Sequence, residues 1–285
     1  MPAEPHSAND YDDRTTQAVQ RVLVEMGQIL GSYRGKFAVI GGSVPWLLLD
    51  NADMPHVGSL DVDICLDAES LGDGEYACLV GSLLEKGYEQ RKGNRPFQLV
   101  RQVPDQTSGV PVEIIVDFLM PRTAQIVKNQ PALIDKFAVQ RADGAELALQ
   151  FSQRIYREAW MPAGGRNRVE IAVCSIPALL ALKGYALDGR LKQKDAYDVY
   201  YCIRNYPGGT EVLAKDCQPV LQTESGLKGF RYIAGKFDRW DGFGPTCVRQ
   251  FIEETRIAAD WTPDQWQTDA YQQVRALLGY LAPLV

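Results

Sequence analysis

The chain has 285 residues, 46% of them apolar and 23% charged, with a formal net charge of −6 at pH 7. These values are ordinary for a globular protein and leave room for one large domain or two small ones. No window approaches 18 consecutive apolar residues, which excludes a transmembrane helix. The acidic balance speaks against a protein that coats long stretches of nucleic acid, while a local basic groove for a nucleotide or one end of an RNA stays open.

Residues 1–13 are polar and acidic, lack the basic-then-apolar layout of a secretion signal, and are expected to fray. Residues 14–32 read as a helix, because Val19, Val22, Leu23, Met26, Ile29 and Leu30 recur at helical spacing. Residues 37–40 form a short apolar strand closed by Gly41-Gly42. Ser43 can cap a short helix with Pro45 in its first turn. A loop over 51–59 leads to a strictly alternating strand over 60–66. A helix over 74–86 ends at Gly87, strands follow at 88–91 and 97–103, and a turn over 105–109 opens a long strand over 110–120. Strands are expected at 145–150 and 169–174. From 176 onward the pattern is helical with short Pro/Gly turns. The fold class is therefore mixed α/β (α+β), with an N-terminal domain over 1–160 and a mainly helical C-terminal domain over 161–285, the boundary falling within 150–175.

Six cysteines are scattered with no C-x-x-C pair, the pattern of reduced thiols in a cytosol without disulfides or zinc. The only histidines are His6 in the tail and His56 in a loop. So few speak against histidine catalysis or histidine metal sites.

Three acidic residues sit inside apolar strands. Asp61 and Asp63 are two apart, so they share a face while Val62 and Ile64 face a core. Asp117 has the same setting in the 110–120 strand, with Glu113 on its face as a salt-bridge or solvent residue. Carboxylates side by side repel, and a divalent cation relieves them; oxygen-only ligands suit Mg²⁺ or Mn²⁺. Gly41-Gly42-Ser43 fits a phosphate turn, with amides unobstructed by Cβ atoms and a helix N-terminus behind them. It equally fits a tight strand-to-helix turn. Ser59 either meets a phosphate or ends its loop.

The second half carries Lys183 in an apolar helix, then Arg190, Lys192 and Lys194, then Asp195 and Asp198 at i, i+3 on one face. An internal lysine needs an anion. One reading is a snorkelling lysine and a helix-cap aspartate. The other puts Lys183 on a triphosphate with Asp195 as its orienting partner, and Arg190 or Lys194 adding phosphate charge.

Gly-Gly-Ser, a short helix, Ser-Leu-Asp-Val-Asp and a later strand aspartate together resemble the nucleotidyltransferase superfamily related to DNA polymerase β. Lys183 followed by GRLKQKDAYDVYY is similar to the AbiEii-type nucleotidyltransferase toxins. The resemblance spans about residues 37–206. It implies a nucleotidyltransferase-like mixed sheet with flanking helices, plus a C-terminal helical region completing a cleft. It implies Mg²⁺-dependent transfer of a nucleoside monophosphate from an NTP to an acceptor hydroxyl. Carried over by position, Asp61 and Asp63 become metal ligands with Asp117 as a third, and Gly42 and Ser43, flanked by Gly41, form the phosphate turn. Lys183 becomes the triphosphate contact and Asp195 the catalytic acid of the helical half. A tRNA acceptor and a cognate antitoxin partner are further implications. Two alternatives stand beside this: a nucleotidyltransferase for small molecules, and a nucleotide- or partner-binding module without turnover.

Overall fold

The structure is a computed structural model, and it describes residues 13–49, 54–71, 73–91, 93, 95–105, 109–124, 139–255 and 261–281. The expected fraying of residues 1–12 lies outside these. So do residues 51–53 of the expected loop and residues 106–108 of the expected turn.

The chain is mixed α/β and divides into two compact units: residues 13–43 with 58–174, and residues 44–57 with 175–285. In the first unit, α1 (Asp13–Leu30) precedes β1 (Phe37–Ile40). β2 (Asp61–Leu66), α3 (Asp73–Glu85), β3 (Tyr88–Glu89), β4 (Gln98–Val103) and β5 (Val112–Pro121) follow. β6 (Gln140–Ala142), α4 (Glu146–Gln150), β7 (Ser152–Trp160) and β8 (Arg166–Cys174) complete it. The strands form one sheet in the order β3-β4-β5-β2-β1-β8-β7, with β6 pairing β5. β2 lies at its centre, antiparallel to β1 and parallel to β5.

Helix α1 packs its apolar stripe of Val19, Val22, Leu23 and Met26 across this sheet. Gly27 lets it approach closely, since a Cβ there would run into Val169 and Ile171 of β8. Glu25 is buried on the same helix and accepts a forked pair of bonds from Arg101 of β4 at 2.8 and 3.2 Å. That forked geometry is what a buried carboxylate needs to offset its desolvation.

Two sequence expectations change here. Residues 145–150 are not a strand: Glu146–Gln150 forms one helical turn of good helix formers, burying Leu147 and Ala148. The boundary between the units falls at 174/175, at the late end of the expected 150–175 window and beyond residue 160, because β7 and β8 form a hairpin that extends the N-terminal sheet.

The second unit contains residues 44–48 of α2 (Ser43–Leu48), then α5 (Ile176–Gly189), α6 (Gln193–Arg204) and α7 (Gly209–Leu221). α8 (Glu224–Lys236), α9 (Phe243–Thr255) and α10 (Pro263–Leu281) close it. Ser175 caps α5 through the Ala178 amide, with Pro177 in the first turn, and Thr223 caps α8 through the Gly226 amide. Assigning residues 44–57 to the helical unit was not legible in the sequence.

Candidate functional site

The sheet unit gathers the strand carboxylates. Asp61 and Asp63 leave one face of β2, half-buried, while Val62 and Ile64 are fully buried on the other. On β5, Asp117 stands opposite Asp63 in register, with Ile115 opposite Asp61. Parallel neighbours in register project to the same side, so all three carboxylates share one face of two adjacent central strands. Glu113, further along that face, is held by Arg91 and by Gln102, which donates at 2.9 Å.

The glycine turn lies beside these residues. Ile40, the last residue of β1, is in register with Asp63, and Gly41-Gly42 turns away from it. Gly41 has φ +76°, and a Cβ there would overlap the Asp63 carboxylate. Only glycine meets both requirements, so this turn and Asp63 are one construction. Ser43 is buried, and its hydroxyl donates to the Ile40 carbonyl at 3.5 Å. Ser59 is also buried and donates to Asp61 Oδ1 at 2.9 Å, orienting that carboxylate.

Among the described residues, no three His, Cys, Asp or Glu side chains converge into a ready-made metal cage. Magnesium seldom uses one. It takes one or two carboxylates and completes its octahedron with waters and substrate phosphates. Two same-face aspartates with a third in register fit that mode of binding.

The helical unit holds a second, buried assembly. Lys183 of α5 donates to Asp195 Oδ1 at 2.7 Å and pairs with Asp198 Oδ2 at 2.6 Å. Arg190 grips Asp195 with two bonds at 2.8 and 3.1 Å. Lys194 reaches Asp198 from one turn earlier on α6 at 2.9 Å. His56 Nε2 lies 3.0 Å from Asp198 Oδ1. All of these side chains are buried except Arg190, which is 58% exposed.

The electrostatics follow from this packing. Burial alone would raise the pKa of Asp195, but Lys183 and Arg190 overcome it and hold it down at about 2. Asp198 is held well below the usual carboxylate range, with Lys183, Lys194 and His56 opposing its burial. Burial would neutralise Lys183, and the two aspartates keep it charged. For His56 burial wins and pushes the imidazole down to about 4, so it sits neutral against the Asp198 carboxylate.

The structure thus brings Lys183, Arg190, Lys194 and Asp195 into one cluster and adds two members. The sequence places Asp198 only on a face shared with Asp195, and His56 in a loop. The i, i+3 spacing from Asp195 was a signal for Asp198. No local signal marks His56, which meets its partner 142 residues away.

No protein-family model and no curated protein matches the chain. Among solved structures it is similar to the crystal structure of JHP933 from Helicobacter pylori, at 10% identity and a TM-score of 0.42, with 94% of each chain covered.

Proposed function

We propose that this chain is a Mg²⁺-dependent nucleotidyltransferase that moves a nucleoside monophosphate from an NTP to an acceptor hydroxyl and releases pyrophosphate. The observation that carries this reading is the set Asp61, Asp63 and Asp117 on one face of β2 and β5, with the Gly41 turn built against Asp63.

Asp61 and Asp63 would hold the metal, with Asp117 beside Asp63. When bound, Mg²⁺ or Mn²⁺ neutralises phosphate charge and lowers the pKa of the acceptor hydroxyl. Ser59 keeps Asp61 in one orientation. The turn amides of Gly41 and Gly42 and the Ser43 end of α2 supply hydrogen-bond donors suited to phosphate oxygens. In the helical unit the charge of Lys183 is already divided between Asp195 and Asp198, and Lys194 is committed to Asp198. Arg190 is likewise bound to Asp195 but keeps its guanidinium exposed, and Lys183 acts within this unit by fixing the two aspartates.

The finer reading is a cytosolic toxin that modifies the acceptor end of tRNA and is countered by an antitoxin. It is supported by the resemblance of the Lys183-to-Asp198 segment to AbiEii-type toxins. Among the described residues no helix is long and apolar enough to cross a membrane.

The test is incubation with each of four α-labelled NTPs and total cellular RNA, with and without Mg²⁺, beside a panel of small-molecule hydroxyl acceptors. Label entering RNA only with Mg²⁺, and falling by about 10²-fold or more in Asp61→Ala and Asp63→Ala, is the expected result. Label in a small molecule instead selects the antibiotic-type alternative. No transfer from any NTP, with nucleotide binding unchanged in Asp61→Ala, refutes the enzyme and leaves the binding module.

A further inference from the structure

The β7–β8 hairpin at the sheet edge has one face packed and one face bare. Ile155, Arg157 and Ala159 are partly covered on the side where α1 packs, whereas Arg154, Tyr156, Glu158 and Trp160 are exposed. Tyr156 is 57% and Trp160 60% exposed. Opposite them on β8, Arg168 is in register with Glu158 and Arg166 with Trp160. The Arg168 guanidinium stacks over the Tyr156 ring at 4.9 Å. The hairpin strands carry four arginines against two glutamates, in a chain whose formal net charge is −6.

Two aromatic rings left in water on one strand face, interleaved with arginines on the same face, form a patch suited to an interaction surface. An added β-strand is a poor occupant. Carbonyls along β7 are already engaged: Arg157 donates to Tyr156 O at 3.0 Å, Gln20 to Glu158 O at 3.3 Å and Arg21 to Trp160 O at 2.9 Å. The edge is thereby blunted while the face remains open. That face offers two π-surfaces four residues apart, about 13 Å along the strand, too far for one base to bridge. Arginines flank both rings. Arg154 and the Arg166–Glu158 pair are solvent-exposed, with Glu170 half-buried beneath Arg154, so the guanidinium groups are open to a phosphate. Stacking rings interleaved with arginines are the chemistry that holds splayed single-stranded bases and their backbone.

We propose that the outer face of β7–β8 is a binding platform for single-stranded nucleic acid, with one base on Tyr156, another on Trp160, and Arg154, Arg166 and Arg168 on the phosphates. This binding is independent of the nucleotidyl-transfer reading, and either can fail alone.

The experiment is fluorescence anisotropy of the full chain with labelled 12-nucleotide single-stranded RNA and DNA of mixed sequence, at two salt concentrations, with duplex RNA as control. Circular dichroism and light scattering confirm that each variant is folded and report its mass. The expected result is single-strand binding that exceeds duplex binding. It should weaken about tenfold or more in each of Tyr156→Ala and Trp160→Ala, and Arg168→Gln should lower the salt slope by about one. Undetectable binding by the wild-type chain overturns the proposal, as does equal binding by the folded double aromatic variant. A wild-type dimer that becomes monomeric in Trp160→Ala, with nucleic-acid affinity unchanged, assigns the face to a second copy and also overturns it.

Discussion

His56 shows how much one buried side chain can contribute to pH dependence. The imidazole titrates near 6.5 in an unfolded chain, and burial beside two lysines pushes it down to about 4 in the folded protein. Between those values the unfolded chain holds one more proton than the folded chain. Stability therefore rises with pH through this window: the contribution is complete above about 6.5 and lost as pH falls toward 4. The displacement corresponds to about 3 kcal/mol, a sizeable share of the roughly 5–15 kcal/mol that holds a domain folded. His56→Gln keeps a donor for Asp198 and removes the titration. Urea midpoints measured from pH 7 to 4.5 should fall more steeply for the wild-type chain than for this variant. Parallel curves would mean that the imidazole is not held neutral. The paired aspartates act lower on the scale, since their stabilisation is present above about pH 3.9 and lost only as pH drops through their depressed values.

At the scale of elements, α5 and α8 of the second unit meet through glycines. A Cβ on Gly184 of α5 would collide with the Gly229 carbonyl oxygen of α8, and a Cβ on Gly229 with the Ala181 carbonyl oxygen. Backbone cannot step aside as a flexible side chain does, so the helices must separate. Gly184→Ala should destabilise the protein by about 1–3 kcal/mol or more, despite the higher helix propensity of alanine. A chemical denaturation curve for Gly184→Ala that matches the wild-type curve would show that the two helices have slack. What the sequence revealed of the elements follows the same logic of local versus distant causes. β2 was legible from its strict alternation and β1 and α5 from their apolar runs; the period of two put Asp61 and Asp63 on one face, whereas Asp117 joins them through the register of β2 and β5. β7 was missed because its outward residues are arginine, tyrosine, glutamate and tryptophan, and its inward packing depends on a helix more than a hundred residues earlier. The Lys183–Asp195 pair could be anticipated from a lysine buried in an apolar helix. The His56–Asp198 bond could not, because no pattern along the chain links two residues 142 positions apart.

At the scale of the whole molecule, the division into units does not follow the division of the sequence. The chain leaves the sheet unit after Ser43, spends residues 44–57 in the helical unit, and returns at Gly58 shortly before Asp61. Cutting at the 174/175 boundary would therefore not yield two intact domains. A fragment of residues 175–285 would lack Leu47, Leu49, Met54 and His56, all of which are buried. Each buried apolar side chain contributes about 1.5–3 kcal/mol as an upper estimate, and a hydrogen bond to a charged group adds about 1.5–3 kcal/mol. Together these rival the net stability of a domain. The fragment is thus expected to lose its cooperative thermal transition, and joining residues 44–57 to it through a flexible linker is expected to restore one. Calorimetry of the two polypeptides decides the matter. If the short fragment melts as sharply and at the same temperature as the linked one, the 44–57 segment is not a structural part of the helical unit.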